Sequence, residues 1–94
     1  MIVGCAVVNA GPIASNRQFE IEILLKAPGG SPFGEMWFFA ADSAKKEMLA
    51  TALAAMTAEK TVNVEIEAAS EWSRITKLLM SSLGIDSVYQ RAPQ

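Results

Sequence analysis

The feature that most constrains this fold is an abrupt change of hydrophobic period within residues 43–67, SAKKEMLATALAAMTAEKTVNVEIE. The first part repeats apolar side chains at helical spacing. The last part, residues 61–67, alternates apolar and polar side chains as a strand with one wet face does. No other segment has comparable helical spacing. The sequence therefore predicts a single helix, at about residues 43–58, followed directly by a strand.

Short apolar or alternating runs predict the strands. Two intervening segments, residues 9–18 and 26–35, carry turn-forming glycine and proline. The five predicted strands are residues 2–8, 19–25, 36–41, 61–67 and 72–80. The resulting order, β-β-β-α-β-β, is that of a five-stranded OB-like barrel, so the predicted class is mainly β (α+β). The alternative is an α+β sandwich in which the helix lies on an open sheet.

The predicted helix has two distinct faces. Asp42 and Ser43 precede it and are suited to cap its free amides. The stripe predicted to face the core is Ala44, Met48, Leu49, Ala52, Leu53 and Met56. Part of the opposite face carries small side chains, Ala50, Ala54, Thr57 and Ala58. These residues reflect either the high helix propensity of alanine or a surface on which helices of neighbouring subunits pack.

Composition narrows the classes of protein and partner. The 94 residues predict one domain, residues 1–94, with a partly loose extension at about 81–94. A net charge of −2 without a cluster of basic residues disfavours a nucleic-acid partner. An apolar share of 51% favours a homo-oligomer. The sequence predicts no membrane span and contains no signal peptide, so we expect a cytoplasmic protein unless an export signal has been removed.

The residue types present also limit the chemistry. The chain has no histidine and a single cysteine, Cys5, so a Ser-His or Cys-His nucleophile pair cannot be built. The glutamates at positions 20, 22, 65 and 67 alternate along strands and are interpreted as the wet sides of those strands, not as an acid–base pair or a metal site. We therefore predict a protein that is not an enzyme and that uses no metal or other cofactor.

The segment AKKEMLATALAAMTAEKTVNVEI and the following EWSRITKLL resemble the pentameric B subunits of bacterial AB-type toxins, particularly the subtilase- and pertussis-like group. The resemblance covers roughly residues 36–80 and consists of a helix with a small-residue face, a V-x-V-x-I strand and an aromatic-led strand. It implies an OB-fold, a ring of five subunits with helices lining the centre, and glycan binding. No sugar-binding residue of that family is matched to a position here.

Two groups of residues are candidates for ligand binding. Trp37 and Trp72 offer ring faces that stack on sugars or bases, or else lie in the core or a subunit interface. Asn16 and Arg17 lie in the loop between the first two strands, where their donors suit a hydroxyl-rich ligand or simply form a solvated turn. The predicted function is a non-enzymatic oligomeric module that binds carbohydrate or another small polar ligand. The alternatives are a structural or protein-interaction module and, less favoured, a single-stranded nucleic-acid binder.

Overall fold

The computed structural model describes residues 1–12 and 20–84, apart from the side chain of Leu83. It contains five strands, β1 to β5, one α-helix, α1, and two single 3₁₀ turns, Pro28–Gly30 and Asp42–Ala44. The strands are β1 Ile2–Pro12, β2 Ile21–Lys26, β3 Glu35–Phe39, β4 Lys60–Ile66 and β5 Ile75–Gly84, and α1 is Lys45–Ala58. The predicted class and the order β-β-β-α-β-β are confirmed.

The five strands form one antiparallel sheet in the order β3-β2-β1-β4-β5. β1 is shared by two partners: its first half, up to Cys5, pairs with β4, and its second half, from Ala6 onward, pairs with β2. An irregularity between Val7 and Asn9 lies in the second half, and such bulges bend a strand. The sheet is not closed. Its ends, β3 and the start of β5, are joined by one parallel bridge between Phe39 and Arg74. This arrangement is compatible with a small barrel-like α+β fold.

Alternation along the strands supplies the core. Val3, Val64 and Leu78 are register partners across β1, β4 and β5, and Ile23 faces Phe38 across β2 and β3. All five are buried in one cluster beneath α1. Burying a side chain of this size contributes about 1.5–3 kcal/mol. One face of the sheet therefore packs against the helix, and the other face does not contact it.

β2 and β3 are joined by a loop, as predicted, but one residue of this loop belongs to the core. Phe33 is 3% exposed, and its ring lies 5.1 Å from that of Phe38. Gly29 and Gly30 have φ of 68° and 78°, in the left-handed region that favours glycine. The two glycines thus allow the chain to turn back so that Phe33 reaches the core.

The helix differs from its prediction in its cap and in the face it buries. Asp42 and Ser43 do not cap α1: the N-cap position is Ala44, and no side chain caps it, because Asp42 and Ser43 lie within a 3₁₀ turn. The buried residues of the helix are Met48, Ala52 and Ala55. The predicted stripe was therefore wrong at Leu53, which is 44% exposed, and it omitted Ala55, which is fully buried. Small side chains at positions 52 and 55 let the helix backbone approach the sheet closely.

Strand ends also differ from the sequence prediction. β1 continues to Pro12, so Gly11 and Pro12 belong to a strand and not to a turn. β5 begins at Ile75, three residues later than predicted, because Trp72 has a φ of 66° and cannot continue an extended strand. β5 then runs to Gly84, so residues 81–84 lie in the sheet. Within the described residues, no helix has the length and apolar character needed to cross a membrane.

Candidate functional site

The structure brings together two of the four predicted ligand-binding residues. Trp37 lies in β3, and Trp72 lies in the segment between β4 and β5. Their rings are 6.3 Å apart between centroids, with a 9° angle between the ring planes. Asn16 and Arg17 lie outside the described residues. The candidate site is therefore built on the two tryptophans.

The alternation of β3 places Trp37 on the outer face of the sheet. Phe38 is fully buried in the core, whereas its neighbours Trp37 and Phe39 point to the opposite side. On β2 their register partners are Leu24 and Glu22. Phe39 is only 7% exposed although it is not part of the main core. A second, smaller aromatic cluster therefore exists outside the sheet.

The segment before β5 lies along the edge of β3 that does not pair with β2, and two backbone hydrogen bonds and one side-chain hydrogen bond hold it there. The Trp72 amide donates to the Trp37 carbonyl (2.8 Å), and the Phe39 amide donates to the Ser73 carbonyl (2.9 Å). The Trp37 amide in turn donates to Oε2 of Glu71 (2.8 Å). These three bonds fix residues 71–73 against β3. They also account for how Trp72 is kept at a φ of 66°, which costs a residue other than glycine about 1–2 kcal/mol.

The rings form a partly exposed surface, which we call the aromatic platform: Trp37, Phe39 and Trp72. The Trp72 ring tilts by 34° against Phe39 at a centroid distance of 5.1 Å. Trp72 is 44% exposed and Trp37 is half-buried. Aromatic pairs at such distances contribute about 0.5–1.5 kcal/mol beyond the area they bury. The platform is thus held internally while part of its indole surface remains in contact with solvent.

A network of ion pairs borders the platform. Arg74 donates from Nη1 to Glu20 Oε1 (3.3 Å) and from Nη2 to Glu20 Oε2 (3.1 Å), and Nη1 also donates to the Ala40 carbonyl (2.7 Å) and to Asp42 Oδ1 (3.3 Å). Lys45 Nζ lies 3.3 Å from Glu20 and 3.4 Å from Asp42. We call Glu20, Asp42, Lys45 and Arg74 the ionic clamp. It ties the residues before β2 and β5 to those that follow β3 and begin α1.

The clamp also connects to the platform. The Arg74 guanidinium lies over the Phe39 ring, 5.3 Å from its centroid. Its hydrogen bonds to Glu20, and to a lesser degree the negative charges of Glu20, Asp42 and Glu67, raise the pKa of Arg74 above the ordinary value, against the opposing effect of burial. Arginine stays charged at any physiological pH. Arg74 therefore keeps its positive charge beside the rings.

Sequence reasoning missed the clamp and gave Glu20 the wrong surroundings. Glu20 was interpreted as a solvated residue on the wet side of a strand, but its side chain is only 14% exposed and contacts two cations. Glu20 and Arg74 are 54 positions apart, and no short motif links them. Only Asp42 and Lys45, three residues apart at the start of the helix, carry a local signal.

Two kinds of group in the described residues bear on covalent or metal chemistry: the Cys5 thiol and the acidic side chains. Burial raises the pKa of the Cys5 thiol to about 12, so it is a thiol and not a nucleophilic thiolate at neutral pH. In the part of the chain that the structure describes, no group of three or more acidic or cysteine side chains is placed to hold a metal ion. The aromatic platform remains the most distinctive surface.

Comparison with protein-family models, curated protein sequences and solved structures finds no match. The candidate site therefore rests on its own geometry.

Proposed function

We propose that this protein is a non-enzymatic module that binds a carbohydrate, or another small polar ligand of similar chemistry, on the aromatic platform. The observation that carries this proposal is the pairing of a half-buried Trp37 with a nearly parallel Trp72 that keeps 44% of its surface in solvent. A contiguous exposed apolar patch marks a surface that binds a ligand or a partner, and the two adjacent indoles form such a patch. Stacked indoles offer a flat face to the C–H side of a sugar ring.

The surroundings of the platform supply polar partners for hydroxyl groups. Glu71 holds a carboxylate beside Trp37, and the hydroxyls of Ser70 and Ser73 lie 2.9 Å apart in the same segment. Carboxylates accept hydrogen bonds from sugar hydroxyls, and serine hydroxyls both donate and accept. A site with apolar rings and a few polar groups matches the general composition of small-ligand sites. The buried thiol and the absence of histidine support a role in binding and not in catalysis.

Replacing Trp72 tests this function directly. Because the exposed ring supplies much of the stacking surface, Trp72→Ala is expected to weaken oligosaccharide binding at least about tenfold. Trp72→Phe keeps an aromatic face and is expected to retain most of the binding. We would measure quenching of tryptophan fluorescence, confirmed by titration calorimetry, over a panel of neutral gluco-, galacto- and manno-oligosaccharides.

Two controls make the Trp72 result interpretable. Trp72→Gly also removes the ring but relieves the left-handed backbone, so it is expected to be about 1 kcal/mol more stable than Trp72→Ala. Loss of binding in both variants, despite this difference in stability, assigns the loss to the ring. If the native protein binds no member of the panel at millimolar concentrations, or if Trp72→Ala binds as well as the native protein, the proposal is wrong.

The proposal includes a homo-oligomer that assembles through α1. Ala50, Ala54, Thr57 and Ala58 are all exposed, and Leu53 lies among them with 44% of its surface in solvent. Thr57 donates its hydroxyl to the Leu53 carbonyl (3.0 Å), which removes that polar group from the face. Small side chains around one exposed leucine favour close packing of a second helix.

Native mass in solution tests the assembly. At micromolar concentration the protein is expected to have a multiple of the monomer mass, and Ala54→Glu is expected to reduce it to the monomer because a charge would be buried between helices. The matched change Ala68→Glu, at an exposed position between β4 and β5, is expected to leave the mass unchanged. A native protein that is monomeric at micromolar concentration would contradict the proposed assembly. That result would not bear on ligand binding at the aromatic platform.

A further inference from the structure

We propose that Glu71 makes the aromatic platform selective for neutral saccharides over anionic ones, an inference that rests on the carbohydrate-binding function proposed above. The carboxylate has a fixed place, because its Oε2 accepts the backbone amide of Trp37 at 2.8 Å. Glu71 directly precedes Trp72 in the chain and is itself exposed. The carboxylate therefore lies next to the backbone of Trp37, at the border of the platform, where we place it within reach of a ligand stacked on the indoles.

The second oxygen of Glu71 is the one that a ligand would use. Among the hydrogen bonds of the described residues, Glu71 takes part in one, through Oε2. Oε1 keeps its lone pairs, and a carboxylate can only accept hydrogen bonds. A sugar hydroxyl donates to such an oxygen, and the bond to a charged acceptor is stronger than one between neutral groups. A sulfate or carboxylate on the ligand has no proton to donate and is repelled.

The cations near the platform are not free to offset this repulsion. Arg74 donates to Glu20, to Asp42 and to the Ala40 carbonyl, and Lys45 contacts the same two carboxylates. On β2 and β3, Lys26 is the register partner of Glu35. Each of these three cations thus has a carboxylate as a contact or as a register partner.

Two further carboxylates lie near the platform or its bordering clamp. Glu22 is the register partner of Phe39, and the negative charge of Glu67 acts on Arg74. When a ligand binds and water leaves the site, like charges that come close together repel each other. Such repulsion is a common way in which a site rejects a wrong ligand. The local field therefore adds to the effect of Glu71 itself.

The experiment compares one neutral oligosaccharide from the panel, chosen as the best bound, with the same oligosaccharide carrying a sulfate ester. The native protein is expected to bind the neutral form at least about tenfold more tightly. Glu71→Gln keeps an oxygen that accepts the Trp37 amide but removes the charge, so it is expected to reduce this preference to about threefold or less. The control Glu47→Gln removes the same charge from the exposed surface of α1 and is expected to keep the native preference.

The outcomes separate this inference from the function on which it rests. If neither form binds the native protein, the carbohydrate-binding function fails and selectivity falls with it. If the neutral form binds but the sulfated form binds equally well, or if Glu71→Gln leaves the preference intact, the selectivity is refuted while the function stands. Raising the salt concentration should weaken the preference in the native protein, because partly exposed charges are screened. Identical emission spectra for the native protein and Glu71→Gln would verify that the platform is unchanged.

Discussion

Arg74→Met is expected to reduce the free energy of unfolding by about 2–3 kcal/mol, a large effect for a residue outside the main core. The change removes three partners at once: the two-pronged contact with Glu20, the hydrogen bond to the Ala40 carbonyl and the contact with Asp42. Among its described partners Glu20 then keeps the cation of Lys45, although its side chain is only 14% exposed. A largely buried carboxylate that loses its main partner is more costly than the intact pair is favourable.

Urea denaturation of matched variants tests the role of the clamp. Arg74→Lys keeps the charge but not the forked geometry, so we expect it to lose about half as much stability as Arg74→Met. Asp42→Asn changes a side chain that is 74% exposed and is expected to cost no more than about 0.5 kcal/mol. If Arg74→Met had the same urea midpoint as the native protein, and the same dependence of unfolding free energy on urea concentration, the clamp would be refuted as a stabilising element.

The pKa shift of Arg74 gives this stabilisation a defined pH dependence. Folding raises the pKa of Arg74. Because Arg74 is a base, a higher pKa in the folded chain means that folding favours its charged form. The contribution is therefore fully present at every pH below the unfolded value and declines only as the pH rises through the folded value. The difference in stability between the native protein and Arg74→Met should accordingly not change on raising the pH from neutral to mildly alkaline.

The clamp and the aromatic platform belong to the same junction. Arg74 lies over Phe39, Phe39 contacts Trp72, and Trp72 contacts Trp37. The junction also holds the one parallel bridge between the two ends of the sheet, at Phe39 and Arg74. A surface at which the ends of an open sheet meet can keep rings in place without burying them fully. Rigid placement of the rings lowers the entropy lost when a ligand stacks on them.

The hydrophobic periodicity of the sequence predicted the helix and the strands but not the contacts between them. The change of hydrophobic period near residue 60 correctly predicted one helix followed by a strand. Side chains repeat every 3.6 residues on one face of a helix and every 2 on one face of a strand, so a few residues are enough to tell the two patterns apart. Strand alternation likewise predicted that Val62, Val64 and Ile66 lie inside. It did not predict that Trp72 adopts a left-handed conformation, since that depends on hydrogen bonds to β3, a strand more than thirty residues earlier.

The candidate site was predictable only in part for the same reason. Trp37 and Trp72 are candidates from the sequence because their ring faces can stack on a ligand, and the structure places the two rings beside each other. Glu71 and Arg74 carry no signal in the sequence, because their roles come from partners on other elements. Pairing of residues so distant in the chain is a property of the topology and not of any local pattern.

The orientation of α1 gives the second large prediction. Ala54 and Ala55 are adjacent and chemically identical, yet Ala55 is fully buried and Ala54 is exposed. Ala55→Leu forces three additional carbon atoms between helix and sheet and is expected to reduce the free energy of unfolding by about 2–3 kcal/mol. Ala54→Leu adds the same atoms on the outer side and is expected to change it by no more than about 0.5 kcal/mol in a dilute monomer.

Measuring both variants at two protein concentrations distinguishes packing within a subunit from contacts between subunits. A core defect does not depend on concentration, so the loss in Ala55→Leu should be the same at both. Ala54 belongs to the helix face proposed for assembly, and association stabilises the folded state by mass action. Any effect of Ala54→Leu should therefore appear mainly at the higher concentration. Equal losses for the two variants at the lower concentration would show that the helix buries a different face, and the exposed alanine surface would then no longer be available for a second copy of the chain.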